Sequence, residues 1–263
     1  MASAEHGAKR GVALCPTMLK YPDRGTWRTG ERARGAMAKR LLDILIAVSL
    51  LVALTPLVLM LAVAIKLGSR GSVFYRCRRA GLGGREFAML KFRKMRQDAA
   101  GPPLTCARDE RFTPLGSLLA RTKLDELPQL WNVIRGDMSL VGPRPEDPSF
   151  IALHSREYTD ILRARPGITG LSQLAFARED RLLDGPDPLR RYVERLLPQK
   201  VAIDQLYVAH RSTNMDLRIL VWTVVAVLFG IEVSVDRRSA KLSVRRRRLY
   251  ADPAPAMPED ART

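Results

Sequence analysis

The apolar run from Leu41 to Ile65, LLDILIAVSLLVALTPLVLMLAVAI, constrains this chain more than any other stretch. As a straight helix it reaches about 37 Å against a hydrocarbon thickness of about 30 Å, long enough to cross a bilayer. Lys39 and Arg40 precede it, and Lys66, Arg70, Arg76, Arg78 and Arg79 follow. Positive charge marks the cytosolic flank of a membrane segment, so basic residues at both ends conflict with a single straight crossing. Pro56 offers a way out, because it lacks an N–H, clashes with the preceding turn and kinks the helix near its middle. The run therefore reads either as a kinked crossing helix or as a segment that enters and returns on one face. Thr55 is placed to bond, through its hydroxyl, a carbonyl freed at the break. Asp43, one turn into the run, reads as an interfacial anchor beside Lys39 or Arg40.

Around this segment the chain is strongly basic, with 44 Lys and Arg against 27 Asp and Glu and a net charge of +17 over 263 residues. Such an excess fits a polyanionic partner: nucleic acid, an anionic lipid surface or a phosphorylated substrate. Cys15, Cys77 and Cys106 show no CxxC spacing, and His6, His154 and His210 lie far apart, which argues against a disulfide framework or a zinc site. The first 36 residues carry no apolar run and read as a disordered basic leader. Residues 37–235 read as one domain and 236–263 as a disordered basic, Pro-rich tail. Within that tail, Arg245 to Arg248 read as a solvated run, with headgroup or nucleic-acid contact as the other readings.

SVFYRCRRAGLGGREFAMLKFRKM shows two β-prone stretches around a Gly-rich turn and reads as a basic hairpin. A short helix is expected from Thr113 to Ala120. In LDELPQLWNVIRG, the apolar residues recur at helical spacing and Gly136 is placed as a stop. Pro128 is tolerated only in a first turn, so this helix is expected to begin near Asp125. SLVGPRPEDP is a loop stiffened by Pro143, Pro145 and Pro148, residues 150 to 165 look helical, and RPGITGLSQ is a turn-rich loop. A charged helical region follows from Leu189 to His210. Asp216 to Ile231 is too short a run for a comfortable crossing and is expected in the interface or the core.

Asp125 and Glu126 are the two residues whose chemistry matters most. Their ordinary role would be capping, since Asp is a favoured N-cap and Glu favours a first helical turn, each stabilising by roughly 0.5 to 1 kcal/mol. The same location suits a reaction. A helix start attracts phosphate oxygens, and a carboxylate is a competent nucleophile toward an activated phosphoryl group. Mg2+ held by one or two carboxylates and substrate phosphates would offset the diphosphate charge, with Glu126 as its ligand. Arg144, locked between prolines, is either an anion clamp or a surface arginine in a turn.

KRLLD before an apolar run with a central proline, then FAMLKFRKM, LDELPQLWNVIRGDMSLVGPRP and RPGITGLSQL, resemble in this order the bacterial sugar transferases called monotopic phosphoglycosyl transferases. The similarity runs from about Lys39 to Ile231, through YVERLLPQK, LYVAHRS and DLRILVWTVVAVL. A lone DELPQ is weak, whereas the ordered set is highly specific. The resemblance implies a mostly helical α+β enzyme: a re-entrant membrane helix over 41–65, broken at Thr55 and Pro56, with a compact cytosolic catalytic domain carrying a small β-hairpin and interfacial amphipathic helices. It implies transfer of a sugar 1-phosphate from a nucleoside diphosphate sugar, expected to be a UDP-sugar, to polyprenol (undecaprenyl) phosphate. UMP would leave, at the cytoplasmic face of the bacterial inner membrane, as the first membrane step of exopolysaccharide or glycoconjugate synthesis. By the same resemblance Asp125 is the nucleophile, Glu126 binds Mg2+, and Pro143, Arg144 and Pro145 engage substrate. Lys91, Arg93, Arg79, Arg121 and Gln129 complete the expected substrate-binding set. The expected partners are the nucleotide sugar, the polyprenol phosphate and anionic lipids, without nucleic acid, and a homo-oligomer is compatible with them.

Larger members carry four additional spanning helices and a further domain ahead of this region. The 36 residues preceding it here have no room for them, so the small, catalytic-domain form is expected. Several positions depart from the pattern: Thr55 for the common serine, Ala120 where an arginine usually stands with Arg121 next door, Lys123 for a serine, Cys77 for a glutamine and Lys94 for a threonine. These changes suggest a pocket tuned to an unusual sugar or a less active one. The alternative function is a catalytically weak or non-catalytic membrane scaffold of the same fold.

Overall fold

The computed structural model describes residues 31–97, 99, 101, 104–106, 109–236 and 239–244. Most of the expected leader and tail, including Arg245 to Arg248, lies outside the described residues. The architecture is mostly helical α+β with small two-stranded sheets.

Helix α1 (Glu31–Ala53) and helix α2 (Thr55–Gly68) form a pair bent by 62°. No single helix among the described residues is long and apolar enough to cross a membrane. Pro56 sits in the first turn of α2, where its missing N–H costs no hydrogen bond within that helix. The Thr55 hydroxyl donates to the Leu51 carbonyl at 2.7 Å, as expected for a carbonyl freed at the break. One side of the pair is buried at Ala47, Leu61 and Ile65, while Leu45, Val52, Leu59 and Val63 on other faces stay exposed.

The pair is pinned to the body near both ends by charged side chains. Asp43 is buried, accepting from the Ser139 hydroxyl at 2.7 Å and the Leu140 N–H at 3.3 Å, so it is a docking residue and not the expected interfacial anchor. Lys39 pairs with Asp216 at 2.5 Å, and Arg40 donates to the Ile134 and Met138 carbonyls. At the far end Arg93 donates to the carbonyls of Ser69 and Arg70 just past α2.

Strands β1 (Phe74–Ala80) and β2 (Glu86–Phe92) form the expected antiparallel hairpin, with Phe74 opposite Phe92. Helix α3 (Pro114–Thr122) is capped by Thr113, whose Oγ1 accepts from the Gly116 N–H at 2.9 Å. A 3-10 turn (Leu124–Glu126) leads to helix α4 (Gln129–Arg135). This corrects the expected start at Asp125: Pro128 occupies the cap of α4, and the dyad precedes the helix. Asn132 of α4 extends the hairpin sideways, since its side chain accepts from the Leu90 N–H and donates to the Ala88 carbonyl, both at 2.9 Å.

Strand β3 (Ser139–Val141) is followed by α5 (Pro148–Leu153), α6 (Ser155–Ile161) and β4 (Gly167–Thr169). The expected helix over 150–165 is thus two short helices. β3 and β4 pair in parallel, Ser139 with Gly167 and Val141 with Thr169, which brings the SLVGPRP and RPGITG motifs together. Their approach is close enough to exclude side chains: a Cβ on Gly142 would lie 2.3 Å from the Arg165 carbonyl oxygen.

Helices α7 (Leu171–Ala175), α8 (Glu179–Leu182), α9 (Pro188–Arg191), α10 (Leu197–His210) and α11 (Thr213–Phe229) follow, with a π-helical turn at Tyr192–Leu196 leading into α10. α11 buries Ile219 in the core and exposes Leu217, Val221, Val224 and Leu228 on its other faces. The chain stays ordered past the expected boundary at Val235: β5 (Val233–Val235) pairs antiparallel with β6 (Leu242–Val244). Likewise α1 begins at Glu31, inside the expected leader.

Candidate active site

The dyad's geometry follows from where α3 stops. Lys123 takes a left-handed conformation, φ 60°, which ends α3 and starts the 3-10 turn. That turn sends Asp125 inward, to 1% exposure, and leaves the Glu126 side chain 23% exposed. Neither acid caps a helix with its side chain, so the ordinary capping role is not the one they fill.

Each acid instead meets a lysine from the end of the hairpin. Lys91, in β2, donates to Glu126 Oε1 at 3.0 Å. Lys94, two residues past β2, lies 3.1 Å from Asp125 Oδ2 in an ion pair without good hydrogen-bond alignment, and Oδ2 is sealed from solvent. Burial alone would push the Glu126 carboxyl up, but Lys91, Arg144 and Lys123 outweigh it and bring it down to about 2. Glu126 is therefore ionised at any physiological pH. Burial is the largest influence on Lys94 and pulls its ammonium below the usual lysine range, against the opposing pull of Asp125.

Arg144 stands in the loop after β3, with Pro143 and Pro145 fixing its backbone, and lies 3.7 Å from Glu146. Burial opposes its charge, yet Glu179, Glu146 and Glu126 raise its affinity for the proton above that of a free arginine. Its electrostatic coupling to Glu126 joins loop and dyad.

Below Arg144 lies a buried network that sequence reasoning missed. Lys200, 1% exposed, reaches Glu146 at 3.2 Å, Glu179 at 3.1 Å and the Tyr192 hydroxyl at 3.0 Å. Tyr192 donates to Glu146 at 2.8 Å. Burial works against the Glu146 carboxylate, but Lys200, Arg144 and Arg79 hold it below the usual range. Asp204 is pushed up to about 7 by burial, opposed by Ser172, Lys200 and the Arg144 backbone. The one available signal was Lys200 itself, a lysine beside apolar Val201, Ile203 and Leu197 in a helix, within a stretch already matched by resemblance.

The other expected substrate residues separate. Arg79 supports the loop, donating to Asp147 at 3.0 Å. Gln129 is buried in the first turn of α4, and Arg121 is exposed at the end of α3 without an ion pair to either acid. Arg93 donates to the Ser69 and Arg70 carbonyls past α2 and so ties the hairpin to the bent pair. Among the described residues no three His, Cys, Asp or Glu side chains cluster as a metal cage. Glu126 alone, ionised and with one oxygen on Lys91, fits a hard cation that takes most of its ligands from substrate phosphates and water.

A carboxylate pair set among lysines and an arginine thus stands on a small α+β body beside a bent apolar helix pair. The chain belongs to the bacterial sugar transferase family, whose model matches residues 34–230. It is 42% identical over 202 residues to the UDP-glucose:undecaprenyl-phosphate glucose-1-phosphate transferase of Xanthomonas campestris pv. campestris, covering 73% of this chain and 39% of that protein. A protein of the same name from Caulobacter vibrioides is 40% identical, over 73% of this chain and 70% of its own length. The exopolysaccharide production protein ExoY of Sinorhizobium fredii is 38% identical, over 74% and 88%. The match thus spans well under half of the Xanthomonas relative and most of the other two.

Proposed function

We propose that this chain transfers a sugar 1-phosphate from a UDP-sugar to undecaprenyl phosphate through a covalent intermediate on Asp125. The observation that carries the reading is the dyad's setting: Asp125 buried against Lys94, with Glu126 ionised between Lys91 and Arg144. The names of the relatives supply the substrate classes.

In the first half-reaction an Asp125 carboxylate oxygen forms a bond to the sugar-bearing phosphorus. The bond from that phosphorus to the bridging oxygen breaks, and UMP leaves with the electron pair. In the second, an oxygen of undecaprenyl phosphate bonds the same phosphorus and the electron pair returns to the carboxylate. Arg144 suits the diphosphate oxygens, since a guanidinium matches them bidentately and its proline-locked backbone needs little reorganisation. Lys91 orients Glu126, which would hold Mg2+; bound there, the ion would neutralise diphosphate charge.

The bent pair α1–α2 then acts as a re-entrant anchor. Basic flanks at both ends stay on the cytoplasmic face of the bacterial inner membrane, where anionic lipids meet them. The Lys39, Asp43 and Arg93 ties fix the dyad's height relative to the lipid phosphate. The product would open exopolysaccharide or glycoconjugate assembly.

The test is incubation of the detergent-solubilised full chain with UDP-glucose, UDP-galactose or UDP-N-acetylgalactosamine, Mg2+ and undecaprenyl phosphate. UMP release with a lipid-linked sugar phosphate is the expected result, and its absence with all three sugars, in a folded protein, would refute the reading. For the anchor, single cysteines at Gly35 and Ser72 should label from one side of the membrane; labelling from opposite sides would mean a crossing.

A further inference from the structure

Lys94 stands out because it is placed on the nucleophile by backbone contacts as well as by charge. Its carbonyl accepts from the Thr113 N–H at 3.0 Å, and the first turn of α3 packs so closely on it that a Cβ at Gly116 would lie 1.8 Å from the same oxygen. The ammonium lies 5.8 Å from the Phe112 ring centre and 3.1 Å from Asp125 Oδ2. Oδ2 is closed to solvent and faces the ammonium, which leaves Oδ1 as the oxygen to bond phosphorus. Lys91 is engaged by Glu126, which leaves Lys94 as the ammonium on the reacting carboxylate.

We propose that Lys94 is a catalytic residue of the second half-reaction, stabilising the Asp125 carboxylate as it leaves the phosphosugar. This rests on the covalent reading above. In the free enzyme Oδ2 carries about half of a full negative charge. Once Oδ1 is esterified to phosphorus, Oδ2 becomes a carbonyl oxygen with only a partial charge, and its attraction to the ammonium falls. Lys94 therefore favours the carboxylate over the acyl phosphate. When undecaprenyl phosphate forms its bond to phosphorus, the P–Oδ1 bond breaks and the electron pair returns to a carboxylate already paired with a cation. No proton, oxidant or reductant is required. The intermediate is thereby kept reactive and does not accumulate. Burial strengthens this pairing, because a low local dielectric magnifies the difference between the two charge states.

The two half-reactions can be read separately in the full-length protein. Adduct formation is followed by intact-protein mass and UMP release with the UDP-sugar that labels the parent; transfer is followed by adduct decay on adding undecaprenyl phosphate. Lys94→Met and Lys94→Gln should slow transfer at least tenfold more than adduct formation and raise the steady-state fraction of adduct. Lys94→Arg, which keeps the charge, should restore the parental partition between the steps. Thermal melting identifies any variant that fails to fold, and the Gln and Arg pair carries the comparison if Met does not fold. Equal slowing of both steps in folded Met and Gln variants would overturn the role, marking Lys94 as a packing residue. A parent that releases UMP without undecaprenyl phosphate present yet carries no adduct on Asp125 would overturn the covalent reading itself, a failure distinguishable because it appears before any Lys94 variant is made.

Discussion

The dyad and the network under Arg144 are both clusters of opposite charge, yet they are built to opposite ends. In the network the two central charges are multiply held: Lys200 touches Glu146, Glu179 and Tyr192, and Glu146 receives Tyr192, Lys200 and Arg144. At the dyad each acid has one lysine, and the Asp125 pair is imperfectly aligned. A saturated buried cluster has little to offer a ligand and much to lose if broken, which makes it a scaffold. An under-satisfied buried acid beside a partly exposed one keeps capacity for a substrate. The difference separates residues whose loss removes chemistry from residues whose loss removes fold, and substitutions in each can break or sharpen it.

The largest effect is expected from Asp125→Asn, which keeps the shape and removes the nucleophile. Turnover, read as UMP release, should fall by roughly 10^4-fold or more, with no adduct by mass. Its melting temperature should stay near the parent's, since the only charge it leaves behind, Lys94, is 23% exposed and can reach water. Full activity in this variant would reassign the nucleophile. Lys200→Met should behave in the reverse way: breaking a buried, fully paired cluster costs about 3 to 5 kcal/mol of stability by urea unfolding. A Lys200→Met protein as stable as the parent would place the network among ornaments instead of supports.

Arg144→Met comes next, with an expected loss of about 10^2 to 10^3 in kcat/KM and less than about 1 kcal/mol in stability. Arg144→Lys should recover only part of that loss, because a point charge cannot reproduce a bidentate contact. Arg144 lies on the boundary between the two clusters, so a large stability loss in Arg144→Met would show that the loop belongs to the scaffold.

What the sequence revealed of these clusters follows from the range of the interactions. Local signals were legible: the hairpin around Gly81 to Gly84, the short helix after Thr113, the break at Pro56 with its Thr55 hydroxyl. The dyad was legible as a motif, but its turn was not, because the left-handed Lys123 carries no glycine or asparagine to announce it and the apolar spacing runs on through Leu124 and Leu127. Asp43 was misassigned, and the Arg93 tie to the bent pair went unread, for a different reason. Their partners, Ser139 and Ser69 to Arg70, are fixed only when the bent pair docks, and no local pattern encodes that contact. The β5–β6 pairing was hidden in the same way, since the charged DRRSAK between its strands reads as a tail. The network is assembled from four separate segments, so no local pattern announced it, and a lysine among apolar neighbours at position 200 went unread.

The smallest and most discriminating test concerns Asp204, the one acid of the network that is not well served. Its Oδ1 has no hydrogen-bond partner, and its carboxyl is pushed from 3.8 up to about 7, chiefly by burial. A folded value above the unfolded one means the native state keeps a proton that the unfolded chain releases. Asp204 therefore lowers stability as pH rises from about 4 to about 7, and the loss is constant above that window. Glu146 has the opposite sign, since its depressed carboxyl gives stability that is lost as pH falls. Asp204→Asn isolates the first contribution, because Glu146 is common to both proteins. A shift of this size bounds the effect at about 4 kcal/mol, and relaxation around the buried charge should reduce it to about 1 to 2 kcal/mol. The variant should thus gain on the parent by that amount between pH 5 and pH 8 in urea unfolding, while adduct formation at pH 7 changes little. A difference that does not vary with pH would mean that Asp204 is ionised and served in the fold, and the network would then be saturated throughout.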